Sequence, residues 1–134
     1  MQRQSVFSMI ARLLATTLAA TWLFQAVAAQ AVELVMVEQA GCYHCTEWKK
    51  TIGPIYPKTA EGAYAPLRMV SRADAPPPGV TFARPVNFTP TFILVEDGQE
   101  LARIEGHPGE DFFWGLLDMM LRQHTDFADP VKTN

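Results

Sequence analysis

Two cysteines and a histidine stand within four consecutive residues, Cys42, Tyr43, His44 and Cys45. Sulfurs at this spacing can form a disulfide when the chain turns into a helix. A thiol at the start of a helix faces unpaired backbone N–H groups and the positive end of the helix dipole, which favour the thiolate. The sequence therefore predicts dithiol–disulfide exchange, in which Cys42 attacks a partner and Cys45 resolves the mixed disulfide. His44, as an imidazolium, would stabilise the Cys42 thiolate further.

Three other interpretations of the cysteine pair compete with redox exchange. A structural zinc site needs about four ligands, and beyond the cysteines the chain offers only His44, His107 and His124 at scattered positions. A purely structural disulfide would close a very short loop and would restrain the unfolded chain little. Copper binding by the two thiols is the third alternative. We favour redox exchange, with the Cys42–Cys45 pair as the redox group and no metal or added cofactor.

After the N-terminal residues, the chain first shows a strand pattern, then a helix pattern and then a second strand pattern. The predicted elements are a strand at residues 32–37, a helix at residues 42–52 and a strand at residues 67–70. The first strand is a β-branched run of the kind that is buried on both faces. In the helix, Cys45, Trp48 and Ile52 share one side. The two strands should be parallel and joined by a right-handed crossover.

The C-terminal third predicts a hairpin followed by a helix. Asp97 and Gly98 have the composition of a two-residue type I′ turn, and Glu110 suits the first turn of a helix because of its charge. The predicted strands cover residues 91–95 and 100–105. The apolar stripe of the helix is Phe113, Leu116, Leu117 and Met120. The aromatic residues expected in the core are Trp48, Phe112, Phe113 and Trp114.

Residues 72–89 lack a regular pattern and contain Pro76, Pro77, Pro78 and Pro85, which exclude a long helix. An irregular segment of this length is uncommon inside a compact domain and is often functional. The fold class predicted from these elements is α/β, with a mixed four-stranded sheet in the order β-α-β then β-β-α. Helices flank the sheet, one on each face, and the proline-rich connection lies in the middle.

The N-terminal residues have the layout of a secretory signal peptide. Arg3 and Arg12 carry positive charge, no acid lies among the first 31 residues, and an apolar run covers residues 13–24. Small residues follow in an Ala-x-Ala pattern, which predicts cleavage after Ala28 or Ala31. An uncleaved membrane anchor is the alternative, although the run is shorter than the about 20 residues that a spanning helix needs. We assign residues 1–31 to a leader, 32–123 to one domain and 124–134 to a polar tail that is expected to fray.

The charge balance argues against nucleic acid as a partner. The 134 residues contain 11 basic and 14 acidic side chains, which gives a formal charge of −3. Loss of the leader would make the chain more acidic still, whereas nucleic-acid-binding domains carry a basic excess. The length leaves room for one compact domain.

Three features of the chain together resemble the thioredoxin superfamily. They are a first strand, a Cys-x-x-Cys pair at the start of the next helix, and Thr89-Pro90 before a strand with an Asp-Gly hairpin. The resemblance implies a cis peptide bond before Pro90, which would lie against the cysteine pair. It also implies that the backbone of Thr89 pairs with a substrate strand. We expect Tyr43 to offer an exposed aromatic ring for docking, and His107 to reach the same surface from the loop after the last strand.

Residues 38–42, 53–59 and 106–113 resemble more narrowly the SoxS type, the periplasmic thioredoxins of bacterial sulfur-oxidation (Sox) systems. This resemblance implies a periplasmic, monomeric reductase that maintains a cysteine of a sulfur-carrier protein and receives electrons from a membrane thiol transporter. The remaining alternatives are a thiol oxidase or isomerase of exported proteins, a non-catalytic copper-binding domain of the same shape, and a regulatory adaptor.

The chain departs from ordinary thioredoxins at three positions. Met36 stands where the family has a buried acid, so proton transfer to Cys45 would use water or another acid, Glu38 or Glu47. Gly41 replaces the usual aromatic residue before the first cysteine, which opens the docking surface. His44 should make the Cys42–Cys45 redox couple more oxidising, which favours an oxidase unless a membrane source of electrons keeps the pair reduced.

Overall fold

Four strands form one mixed sheet in the computed structural model, which describes residues 32–128. The strands are β1 (Val32–Glu38), β2 (Leu67–Ser71), β3 (Thr91–Glu96) and β4 (Gln99–Glu105), in the spatial order β2-β1-β3-β4. β1 pairs parallel with β2 and antiparallel with β3, and β3 pairs antiparallel with β4. The predicted α/β class and mixed sheet are therefore confirmed. The predicted leader lies outside the described residues.

Within residues 32–128, three helices accompany the sheet: α1 (Tyr43–Thr51), α2 (Ala60–Tyr64) and α3 (Glu110–His124). Two short 3₁₀ turns, Tyr56–Lys58 and Arg72–Asp74, complete the regular structure. None of the helices within residues 32–128 is long and apolar enough to cross a lipid bilayer.

The sequence analysis missed helix α2 and treated its residues as loop. The Thr59 hydroxyl accepts the backbone N–H of Gly62 and caps the helix. Gly62 packs so closely that a Cβ there would lie 1.9 Å from the carbonyl oxygen of Tyr56. Because α2 is a short helix held by a cap and by close packing, periodicity could not indicate it.

Helices α1 and α3 cover the same face of the sheet, not opposite faces as we expected. The ring of Trp48 in α1 lies 5.4 Å from that of Phe113 in α3 and 5.0 Å from that of Phe92 in β3. All three side chains are fully buried, together with Leu34 and Met36 of β1. This aromatic cluster fixes the position of α1, and with it the position of the cysteine pair.

The opposite face is covered by a proline strap, which we define as residues 75–86. Val80 and Val86 of the strap are buried against a second apolar cluster made by alternate residues of the two central strands. Those strand residues are Val35, Val37, Ile93 and Val95. The proline-rich segment, which has no regular sequence pattern, therefore covers this face of the sheet in place of a helix.

A buried ion pair fastens the strap to β4. Arg103 donates from Nε and Nη2 to the two carboxylate oxygens of Glu100, each at 2.6 Å. Both side chains are only 5–6% exposed. Arg103 also donates to the carbonyl of Arg84 at 2.9 Å, and the N–H of Ala83 donates to Glu100 at 2.7 Å. We call these contacts the Glu100–Arg103 clamp, and no local sequence signal pointed to it.

Two expectations about α3 need correction. Phe112 is 71% exposed and Leu116 is 38% exposed, although we predicted both as core or stripe residues. Successive helical residues differ by about 100° in direction, so Phe113 can face the sheet only if Phe112 turns away. The packed domain also continues beyond residue 123, because Phe127 is buried and its ring lies 5.1 Å from that of Tyr64. The rest of the predicted tail, residues 129–134, lies outside the described residues.

Candidate functional site: the disulfide at the start of helix α1

Cys42 and Cys45 form a disulfide at the N-terminus of α1, with their Cα atoms 5.3 Å apart. Cys42 is the N-cap residue, and its Sγ accepts the backbone N–H of Cys45 at 3.1 Å. The first turn of α1 contains no acidic residue that would oppose a thiolate there. Cys42 is half-buried, whereas Cys45 is only 1% exposed. A visiting sulfur can therefore reach Cys42 and not Cys45.

The loop before β3 presents its backbone to this sulfur. The peptide bond between Thr89 and Pro90 is cis. The carbonyl oxygen of Thr89 lies 3.4 Å from Sγ of Cys42. Pro90 is buried, and its carbonyl accepts the N–H of Gly106 at 2.7 Å. The buried hydroxyl of Thr91 donates to the carbonyl of Phe88 at 2.8 Å, which fixes the other side of the loop.

An open cleft of about 550 Å³ lies beside the loop. We call it the His44–His107 cleft, and its walls include His44, Phe88, Thr89, His107 and Pro108. The structure thus brings His44, Thr89 and His107 to one surface next to Cys42. Tyr43 is 69% exposed, and its ring lies 5.4 Å from that of His44. Phe88, which the sequence analysis did not single out, is 61% exposed.

His107, in the wall of this cleft, has a displaced pKa. Burial lowers the pKa of His107, and the nearby His44 lowers it further, against smaller opposing effects of Glu47 and Glu110. Its Nδ1 atom is buried and has no hydrogen-bond partner among residues 32–128. Protonation of this imidazole is therefore less favourable than that of an exposed histidine.

We expect His107 to titrate below the ordinary histidine value of about 6.5 in an NMR titration of its ring protons. Because the unfolded chain takes up this proton at a higher pH than the folded one, the free energy of unfolding should decrease as the pH falls below about 6.5. The variant His107→Gln should lack that part of the pH dependence. A His107 resonance titrating above the ordinary value would contradict this assignment.

Met36 is fully buried in the aromatic cluster. An apolar side chain therefore occupies the position where thioredoxins have a buried acid. Glu38 and Glu47, the two acids considered in its place, lie in different surroundings. Glu38 accepts a short hydrogen bond from Lys49, and Glu47 pairs with Lys50 at 3.7 Å. Within residues 32–128, no three His, Cys, Asp or Glu side chains cluster so that they could hold a metal ion.

A solved structure decides the family. The chain is similar to the periplasmic thioredoxin SoxS from Paracoccus pantotrophus in its reduced form, with 48% sequence identity and a TM-score of 0.67. The match covers 69% of this chain and 97% of that one. The chain belongs to the thioredoxin superfamily. No protein-family model and no curated protein matches it.

A second similar structure is the Malassezia sympodialis thioredoxin Mala s 13, described as a member of a pan-allergen family, at 20% identity and a TM-score of 0.46. That match covers 72% of this chain and 76% of the other. Membership of the thioredoxin superfamily rests on the SoxS structure alone. With its Cys-x-x-Cys disulfide, this thioredoxin-type protein is a thiol–disulfide oxidoreductase. Its redox group is the Cys42–Cys45 disulfide.

Proposed function

We propose that the chain is an exported reductase that maintains a cysteine of a sulfur-carrier protein in a sulfur-oxidation (Sox) system. The observation that carries the proposal is the 48% identity with the periplasmic thioredoxin SoxS over 97% of that chain. The signal-peptide pattern of residues 1–31 supports the periplasm as the location. The reductant would be a membrane thiol transporter, because an oxidising compartment does not itself supply electrons.

In the proposed reaction the two cysteines act in sequence, Cys42 as the nucleophile and Cys45 as the resolving thiol. The thiolate of Cys42 attacks a disulfide of the substrate, and one substrate sulfur leaves as a thiolate. Cys45 then attacks Sγ of Cys42, which releases the second substrate sulfur and forms the Cys42–Cys45 disulfide. The substrate gains two electrons and the cysteine pair loses two.

Docking of the substrate would use the loop beside Cys42. The backbone of Thr89 and Pro90 can pair with an extended substrate segment, since the Thr89 carbonyl already lies 3.4 Å from the attacking sulfur. Tyr43 can contact the segment on one side through its exposed ring. The His44–His107 cleft can take a side chain that flanks the substrate cysteine.

The experiment is a covalent trap in the periplasm of the source organism. In the Cys45→Ser variant, Cys42 can attack but the mixed disulfide cannot be resolved, so the partner should remain attached. We expect a thiol-sensitive adduct that mass spectrometry identifies as a cysteine-bearing sulfur carrier. The double variant Cys42→Ser/Cys45→Ser is the matched control and should capture nothing. Capture of unrelated exported proteins in place of a carrier would contradict the Sox role.

A thiol oxidase or isomerase remains the second candidate because His44 precedes the resolving cysteine. A cation beside the attacking sulfur stabilises the thiolate and makes the couple more oxidising. The reduction potential separates the two functions: about −200 mV or lower supports the reductase, and a value near about −120 mV supports the oxidase. Equilibration with glutathione buffers of defined ratio measures it.

A further inference from the structure

Cys45 must lose its proton at the moment it attacks, yet its surroundings are apolar. The residue is 1% exposed and packs in the same cluster as Trp48 and Met36. Only the thiolate is an effective nucleophile, and an apolar environment disfavours it. Because Met36 can accept no proton, the resolving step needs an acceptor that reaches Cys45 from another direction.

One open cleft has Cys45 among its lining residues, and His107 is not part of its walls. It has a volume of about 320 Å³, and its walls include Glu38, Gly41, Cys45, Thr46, Lys49 and Ser71. We call it the Glu38 cleft. A polar space of this size can hold ordered water that bridges protein groups. Among the acids of residues 32–128, Glu38 is the one that shares this cleft with Cys45.

One basic group, the ammonium of Lys49, holds this carboxylate in place. Lys49, one helical turn after Cys45, donates to the Oε2 atom of Glu38. The Glu38 side chain is 27% exposed and that of Lys49 is 40% exposed, so both remain in contact with water. From the 3₁₀ turn after β2, Arg72 donates to the side chain of the adjacent Gln39 at 3.3 Å. An ionised carboxylate is an acceptor with room for a further bond on its second oxygen.

We propose that Glu38, oriented by Lys49, accepts the proton of Cys45 through water in the Glu38 cleft during the resolving step. Cys45 Sγ attacks Cys42 Sγ, the bond from Cys42 to the substrate sulfur breaks, and that sulfur leaves as a thiolate. The proton of Cys45 passes through water to the Glu38 carboxylate and from there to solvent. The leaving thiolate is protonated by solvent, so charge and electrons balance.

Glu47 is the matched control that the chain offers. It is the same residue type on the same helix as Cys45, and it pairs with Lys50 at 3.7 Å. Its electrostatic effect reaches His107, and Glu47 is not among the residues that line the Glu38 cleft. If removal of any negative charge near the disulfide slows the resolving step, both Glu38→Gln and Glu47→Gln should be slower. If Glu38 accepts the proton, only Glu38→Gln should be slower.

The experiment follows the reaction of the reduced protein with the chromogenic disulfide 5,5′-dithiobis(2-nitrobenzoate) under stopped flow. Attack by Cys42 releases one coloured thiolate, and resolution by Cys45 releases the second, so the two steps are observed separately. In Glu38→Gln we expect an unchanged first phase and a second phase slower by at least about tenfold near neutral pH. The difference should vanish in alkali, where hydroxide removes the Cys45 proton directly. Glu38→Asp should recover part of the rate.

An unchanged second phase in Glu38→Gln, or an equal loss in both phases, would overturn the proposal. A second phase that slows in Glu47→Gln and not in Glu38→Gln would also overturn it and assign the proton to the other glutamate. The unchanged first phase reports that the variant is folded. Since the probe is a small disulfide, the result does not depend on the physiological partner, and failure here leaves the proposed Sox role untouched.

Discussion

Replacing Cys42 by serine is expected to lower the rate of insulin disulfide reduction by at least about a thousandfold, to the uncatalysed rate. Sγ of Cys42 is the sulfur that a partner can reach, and the N–H of Cys45 at 3.1 Å stabilises its negative charge. A serine hydroxyl is not ionised at neutral pH, so the same position then offers no nucleophile. The turbidity assay with dithiothreitol as reductant measures the loss.

The control for Cys42→Ser is Cys45→Ser, which keeps the attacking thiolate. It should lose turnover but still release one equivalent of coloured thiolate from the chromogenic disulfide. The thermal unfolding of both variants should be compared with that of the reduced wild type, because the wild-type disulfide also contributes to stability. Substantial turnover by Cys42→Ser would show that Cys45 can act as the nucleophile, against its 1% exposure.

The second large effect is expected in the Glu100–Arg103 clamp. Arg103→Leu should lower the free energy of unfolding by about 3 kcal/mol, because it leaves the buried Glu100 carboxylate without its bidentate partner. For a domain of this size that corresponds to a decrease in Tm of roughly 10–20 °C. The exposed pair of Lys50 and Glu47 provides the control, and Lys50→Ala should change stability by less than about 0.5 kcal/mol.

Two further measurements separate a lost ion pair from lost packing. The double variant Glu100→Leu/Arg103→Leu should be more stable than Arg103→Leu alone, because no uncompensated charge remains. Burial raises the pKa of Glu100, but hydrogen bonds from Arg103 and Ala83 outweigh it and hold that pKa below its ordinary range. The contribution of the clamp is therefore complete above about pH 4.3 and is lost as the pH falls through the lower folded value. An equal destabilisation at neutral and acidic pH would contradict this account.

The cysteine pair, the strands and the pairings of β1 with β2 and of β3 with β4 could be predicted from patterns along the sequence. The β-branched run of β1, the Asp97-Gly98 turn and the Cys-x-x-Cys spacing each depend on a few adjacent residues. The cleft that holds His44 and His107 could be expected only through the resemblance to thioredoxins. No sequence pattern indicated that Phe88 belongs to this cleft.

What could not be predicted depends on contacts between distant residues. The apolar stripe of a helix shows which side it buries but not which face of the sheet it covers, so the shared face of α1 and α3 was missed. The strap is held by Arg103, whose partners Arg84 and Pro85 are far away in sequence. The distinct surroundings of Glu38 and Glu47 likewise follow from folding and not from their spacing to Cys45.

Thr81 of the strap covers part of the outer edge of β4. Its N–H donates to the Gly98 carbonyl, and its carbonyl accepts the N–H of Glu100, so the strap lies as an extra bridge along the beginning of β4. Unpaired strand edges are templates for aggregation by strand addition. At the other end of the sheet, β2 is only five residues long and carries the charged Arg68, which pairs with Glu33 at 3.5 Å. Both edges of the sheet therefore carry features that hinder aggregation by strand addition: a short strand with a charged residue at one edge and a partly covered strand at the other.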